Sequence, residues 1–190
     1  RVFSSFFAEQ RLSYLARDVE TGEVAAMCLG SDFFSDTSAY LKLCPETFVR
    51  EGQFFHGSHQ RVLQYLRDNK SITEKGVVAH FTKGCVLDKY ENKKLFQLLR
   101  LICVMNSMKK GYEYSVGEPT SPKTQHLTLR KNEGVVESDT MMVIDKAFFE
   151  DYDYKGQRFY APKTQMYPIP TIITTLRSYE VVRKMIRPKF

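Results

Sequence analysis

The sequence predicts an α/β fold, and three stretches carry the prediction. Residues 76–134 run strand, charged turn, long apolar helix, strand and shorter helix. Residues 12–34 hold two alternating apolar runs about a glycine-bearing turn, and residues 135–175 return to strand-like runs. At 190 residues the chain is long enough for one sizeable core and is read as a single domain, 1–190.

Taken in order, RVFSS at the start reads either as the end of a helix or as the remnant left when a transit peptide is removed. LSYLARDVETGEVAAMCLGSDFF (12–34) is the clearest hairpin, with Asp18 to Glu23 as its polar turn and Gly22 supplying the tight backbone. Residues 35–75 read as a helix-rich insertion. Ser35, Asp36 and Thr37 suit the cap of a short helix ending near Pro45, and 57–69 carry helical spacing through Val62, Leu63, Tyr65 and Leu66. His56 and His59 lie there with no cysteine or carboxylate at ligand spacing, so they read as solvent-exposed side chains rather than metal ligands.

In the central unit, VVAHFTKGCVL (77–87) is rich in β-branched and apolar residues and reads as a strand. Leu95, Leu98, Leu99, Ile102 and Met105 then recur at three- and four-residue spacing, and Leu101, Val104 and Met108 widen the apolar surface, so a largely buried helix is expected. Asn92 is its expected N-cap; Lys109, Lys110 and Gly111 mark its end, where cations meet the negative pole and glycine supplies the left-handed turn. YEYSVGEPTS comes next as a strand and SPKTQHLTLRKNEG as a shorter helix stopped by Gly134. A unit of this kind puts the strand-to-helix turn at the carboxyl end of the sheet, where outward-facing N–H groups suit an anionic phosphate. Beyond it, VVESDTMMVID and AFFEDYDYKGQRFYAP read as strands with a Lys155–Gly156 turn, and TIITTLRSYEVVRKMI as a strand and short helix.

Mean hydropathy of −0.36 and 43% hydrophobic residues describe an ordinary globular chain. A net charge of +6 and a pI near 9.1 suit an anionic cofactor or a place in a larger assembly, but the basic residues are dispersed, which argues against nucleic acid. No run approaches the ~18 apolar residues of a membrane span. Cys28, Cys44, Cys85 and Cys103 have no CxxC spacing and read as reduced thiols, favouring cytosol or an organelle matrix such as the mitochondrial one.

Residues 86–99 resemble the acetyl-coenzyme-A-binding motif of the GNAT N-acetyltransferases: a strand-closing valine, a tyrosine, Q/R-x-x-G-x-G/A and a leucine-rich helix. Val86, Tyr90, Leu95, Leu98 and Leu99 stand where the family has its Val, Tyr, Ile and paired leucines. The likeness extends to the 112–134 strand and helix, to the hairpin turn at Asp18, Thr21, Gly22, Glu23 and Val24, and to Tyr154, Gly156 and Tyr160. It implies a mixed, mostly antiparallel sheet with flanking helices and a V-shaped cofactor cleft. The family's first strand and helix need roughly fifty residues before the hairpin and only about eleven stand there, so that part is expected to be missing or trimmed.

The resemblance also implies a chemistry, acetyl transfer from acetyl-coenzyme A to a primary amine on a small molecule or protein. The backbone at Cys85 and Val86 would hold the pantetheine, and N–H groups from Asn92 through Lys93, Lys94, Leu95 and Phe96 the pyrophosphate. His80 stands where several members place their base, and a histidine's unperturbed pKa of about 6.5 suits that work; the alternative is a strand histidine bonded to a neighbour. The tyrosine that protonates the departing thiolate in many members falls near Arg130. Tyr112, Tyr114 and Ser115 are the remaining donors, and Tyr114 is paired with His80 as the catalytic set. The motif's first Gln/Arg falls on Glu91, its first glycine on Lys94 and its last small residue on Phe96. Phe96 then either blocks the pyrophosphate or points into the core, and Lys93 and Lys94 are either phosphate counter-charges or a solvated pair. These departures leave a second reading open: a catalytically degenerate subunit kept for its shape in a larger complex, with Phe96 filling the cleft.

Overall fold

The polar turn at Asp18 joins β1 (Tyr14–Arg17) to β2 (Val24–Asp32), antiparallel from Tyr14↔Cys28 to Arg17↔Val24. The Asp18 N–H donates to the Glu23 carbonyl and the Gly22 N–H to the Asp18 carbonyl, both at 2.9 Å. Gly22 sits at φ +70°, the left-handed region that a side chain disfavours, which is why the turn carries glycine. This computed structural model describes residues 2–35, 49–121, 124, 141–147, 153–154, 157–158 and 169–176. The chain divides into two compact units, one of Arg1–Ser35, Lys75–Val116 and Thr175–Phe190, the other of Asp36–Glu74 and Gly117–Thr174.

The first unit begins with α1 (Val2–Gln10). Its sheet has the order β1-β2-β3-β4, with β3 (Val78–Val86) antiparallel to β2 and parallel to β4 (Tyr114–Gly117). The crossover from β3 to β4 is made by α3 (Leu95–Lys109); α2 (Val49–Lys70) lies earlier in the chain, in the second unit. Lys110, just past α3, donates its ammonium to the carbonyls of Gln10 (3.4 Å) and Arg11 (2.7 Å), and Asn106 donates to Arg11 as well (2.9 Å). One cation thus meets orphan carbonyls at the end of α1 while standing at the negative pole of α3. Gly111 comes next at φ +91°, the left-handed stop expected from the sequence.

Two expectations about α3 are corrected. The helix starts at Leu95, not Asn92, with Lys94 as its N-cap residue and no side-chain cap. Asn92 lies upstream in a turn at φ +63°, a conformation its short polar side chain tolerates. The buried stripe is Leu99, Cys103, Val104 and Ser107, whereas Leu98 is 53% exposed. Small side chains at 103 and 107 let the helix approach the sheet; the expectation held for Leu99 and Val104, misplaced Leu98 and missed Cys103 and Ser107, which a reading weighted by large apolar residues passes over. Ala26, Cys28, Leu99 and Cys103 form one core cluster, with Tyr14, Ala16, Phe81, Val86, Leu95 and Phe96 packed against it. Of the cysteines, Cys28 and Cys103 are buried free thiols and Cys85 is an exposed one.

In the second unit, α2 (Val49–Lys70) is longer than the 57–69 expected. β5 (Met141–Ala147), β6 (Asp153–Tyr154), β7 (Gln157–Arg158) and β8 (Ile169–Thr175) come after it; β5 pairs antiparallel with β8, and β6 with β7. Ser121 accepts the Thr124 N–H at 3.1 Å, a cap where the 121–134 helix was expected to begin. The rest of that helix with His126, the short helix before Pro45, the Lys155–Gly156 turn and most of the 148–154 cluster lie outside the described residues. Among the described residues no helix is long and apolar enough to cross a membrane.

Candidate functional site

The site is built on the point where β3 and β4 part. Their pairing runs Val78↔Tyr114, Ala79↔Ser115 and His80↔Val116 and ends there, while β3 continues beside β2 to Val86. Among the described residues of this unit, the second edge of β3 has no strand partner beyond His80. The Leu87 N–H donates to Ala25, so by alternation Cys85 turns its backbone groups toward β2, and Gly84 and Val86 turn theirs to the open edge. Of the two strand residues expected along a cofactor, Val86 therefore faces that edge and Cys85 faces the ladder. Gly84, which carries no motif signal of its own, joins Val86.

Past β3 the chain makes a 3-10 turn at Asp88–Tyr90, crosses Asn92 and Lys93, and enters α3 through Lys94 at φ +58° and ψ +15°. The first intrahelical bond is from the Leu98 N–H to the Lys94 carbonyl at 3.1 Å, so the N–H groups of Leu95, Phe96 and Gln97 stand at the positive end of the helix ahead of that ladder. Lys94 occupies the position of the motif's first glycine, and its backbone is left-handed as that glycine requires. A non-glycine residue there costs about 1 kcal/mol. Lys94→Gly should raise stability by about 0.5–1 kcal/mol, read as the midpoint of urea unfolding at unchanged slope. A fall in the midpoint would mean that Lys94 is not left-handed in solution.

Phe96, at the motif's last small position, points into the core. A Cβ on Gly84 would lie 2.0 Å from Phe96 Cε2 and 2.7 Å from Cζ, so the ring rests directly on the glycine's face of the strand. A large side chain on the helix meets a glycine on the strand, and the ring packs against the same core cluster as Val86 and Leu95. Asn92, Lys93 and Lys94 are exposed, and the Lys93 ammonium lies 5.2 Å from the centroid of the Tyr90 ring.

Tyr90 is buried among charged neighbours. Its hydroxyl donates to Asp18 Oδ2 at 2.8 Å and lies 3.3 Å from Glu23 Oε2; Lys89 pairs with Glu23 and its ammonium is 5.1 Å from the Tyr90 ring. Asp18 Oδ1 accepts the N–H groups of Glu20 and Thr21. The Thr21 N–H first, then the Tyr90 hydroxyl and the Glu20 N–H hold the Asp18 carboxyl at about 2, below its ordinary 3.8. Its pKa is lowered on folding, so its contribution to stability is whole above about pH 4 and is lost as pH falls through about 2. The melting temperatures of the protein and of Asp18→Asn should therefore differ above about pH 4 and converge toward pH 2; a constant gap would place the acid sensitivity elsewhere.

His80 is 3% exposed and stands at the last β3–β4 pair, its ring edge-on to Phe33 with centroids 5.6 Å apart. The parallel register puts Val78, His80, Tyr114 and Val116 on one face, with Tyr114 diagonal to His80, and Ala79 and Ser115 on the other. Tyr112 lies before β4, and burial followed by the nearby Asp32 carboxylate, which it hydrogen-bonds, pushes its hydroxyl up to about 12. Of the three donors, only Tyr114 shares the face of His80 within the strand.

One expectation in the second unit is overturned. His56 is exposed, but His59 is buried, its Nε2 3.7 Å from Glu118 Oε1. α2 buries Ser58, His59, Val62 and Leu66 along one stripe, and a histidine at i−3 from Val62 is carried inward with that stripe.

No family model and no curated protein sequence matches the chain. Solved structures do match in fold. A mosquito arylalkylamine N-acetyltransferase (like 5b) is 21% identical at a TM-score of 0.68, over 91% of this chain and 78% of that one. The Drosophila melanogaster polyamine N-acetyltransferase, which forms N-acetylagmatine, is 13% identical at 0.66, over 90% and 79%. Naa20 of Chaetomium thermophilum, solved with a bisubstrate analogue, is 14% identical at 0.51, over 98% and 77%. The chain has the GNAT fold.

Proposed function

We propose that this chain is an acetyl-coenzyme-A-dependent N-acetyltransferase acting on a primary amine. One observation carries the reading: β3 runs past its last pair with β4 and ends beside the uncapped amino end of α3. A thiol-terminated pantetheine arm with a pyrophosphate needs such a pair of features, a row of free backbone groups leading to an anion site. The residues present fit it. Gly84 and Val86 would meet the arm, the N–H groups of Leu95, Phe96 and Gln97 the pyrophosphate, and Lys93 and Lys94 would add countercharge. When bound, the cofactor supplies an acyl thioester.

The chain's own residues then divide the proton work. His80 accepts a proton from the attacking amine through a water, as its burial requires, while the new N–C bond forms and the C–S bond breaks. Tyr114 gives its proton to the departing sulfur, leaving an amide and a free thiol. The shape-only alternative asks for Phe96 in the cleft. Its half-buried ring rests on the face of Gly84 and packs against the Ala26, Cys28, Leu99 and Cys103 cluster. A small amine is the favoured acceptor, because the arylalkylamine and polyamine enzymes match with TM-scores of 0.68 and 0.66 against 0.51 for Naa20. The test is calorimetric titration with coenzyme A, with thiol release from acetyl-coenzyme A measured over a panel of arylalkylamines, agmatine and amino-terminal peptides. No binding and no amine-dependent release would overturn the reading.

A further inference from the structure

The motif tyrosine has no assigned work in the reaction, yet its hydroxyl and its ring are both engaged by charged neighbours on two segments of the chain. We infer that Tyr90 is a positioning residue that latches the anion-binding loop to the turn of the β1–β2 hairpin through Asp18. The inference rests on the proposed cofactor site, because the loop it fixes is the one that presents the α3 amino terminus.

Three observations converge on this role. First, the loop needs an external constraint. Between the 3-10 turn and α3 it holds two non-glycine residues in the left-handed region, Asn92 and Lys94, and α3 has no side-chain cap. Backbone of that kind persists only where its surroundings over-determine it. Second, the constraint is present and long-range. The Tyr90 hydroxyl donates to a carboxylate 72 residues earlier in the chain, and that carboxylate is fixed by two backbone N–H groups of its own turn. A phenol donating to an ionised oxygen is among the stronger hydrogen bonds available to a side chain. Third, the ring is coupled to the loop's cations. Lys93 lies against it, while Lys89 is shared between the ring and Glu23 of the same hairpin turn. Tyr90 therefore joins the hairpin turn, through its hydroxyl, to the loop's own charge, through its ring.

The consequence is a division of labour. The N–H groups at 95–97 bind an anion well only when they already converge, and the latch removes the ordering cost that a free loop would meet at binding. Loss of the hydroxyl should weaken cofactor binding without altering the chemistry at His80 and Tyr114.

The test compares the full chain with Tyr90→Phe, which deletes only the hydroxyl, and with Asp18→Asn should Tyr90→Phe not fold. Coenzyme A titration should show a dissociation constant raised about tenfold, with kcat at saturating acetyl-coenzyme A within about twofold of the parent. Amide exchange at 92–97 in the ligand-free protein should be faster in the variant, and exchange in the body of α3 unchanged. Equal dissociation constants and equal loop exchange would overturn the latch, as would a fall in kcat at unchanged affinity. If the parent chain binds no coenzyme A, the acetyltransferase reading fails, and loop exchange alone decides the latch: faster exchange upholds it, unchanged exchange overturns it.

Discussion

Replacing His80 with glutamine should lower kcat for amine acetylation by about 10²- to 10⁴-fold while leaving coenzyme A affinity within about twofold. The split comes from placement. His80 stands at the last pair of β3 with β4, whereas the groups proposed to hold the cofactor lie at Gly84, Val86 and the start of α3. Glutamine keeps the volume and a hydrogen-bonding end, so the packing against Phe33 is disturbed little, and the melting temperature reports whether the fold has survived. Tyr114→Phe should cost less if water can reach the sulfur. A kcat within twofold of the parent for His80→Gln would return His80 to the role of a strand histidine bonded to its neighbours.

Gly84→Ala should destabilise the protein by about 1–3 kcal/mol although alanine is the better strand residue, because the new methyl would meet the Phe96 ring at 2.0 Å. The sign is the informative part. An alanine in a strand interior with room for it gains about 0.5–1 kcal/mol over glycine, so the same substitution made in a Phe96→Ala background should be neutral or stabilising. Phe96→Ala alone should cost about 2 kcal/mol for the half-buried ring. Urea unfolding of the four proteins measures the coupling, and additive costs would place the ring away from Gly84. The cycle also bears on the cofactor. Phe96→Gly would remove a packing contact rather than open an occluded site, so it should not raise coenzyme A affinity.

Elements built from neighbours in the chain were legible in the sequence. The hairpin turn, the β3 strand, the stop at Gly111 and the crossover to β4 arise from side-chain alternation, helical spacing and glycine at positive φ, all local properties. The candidate site was legible in outline for the same reason, since strand, turn and helix occur there in one unbroken run. Where a side chain points depends instead on contacts made across the fold. Phe96 reads either as an obstruction or as a core side chain until Gly84, twelve residues earlier, is seen beneath it. Leu99 and Val104 of the buried face of α3 were legible, but Cys103 and Ser107 were missed because they are small, and small residues win the position nearest a sheet by letting the helix come close. His59 looked exposed because its polarity was weighed without the stripe of α2 on which it falls. That Tyr114, unlike Ser115, shares the face of His80 is visible only in the parallel register. The order of elements and the place of the strand-to-helix turn can be read from the residues alone, because both depend on backbone conformations that each residue sets locally. That Tyr90 reaches Asp18 and that Phe96 packs against the core cannot be read that way, because each depends on a partner brought into place by the folding of the whole sheet.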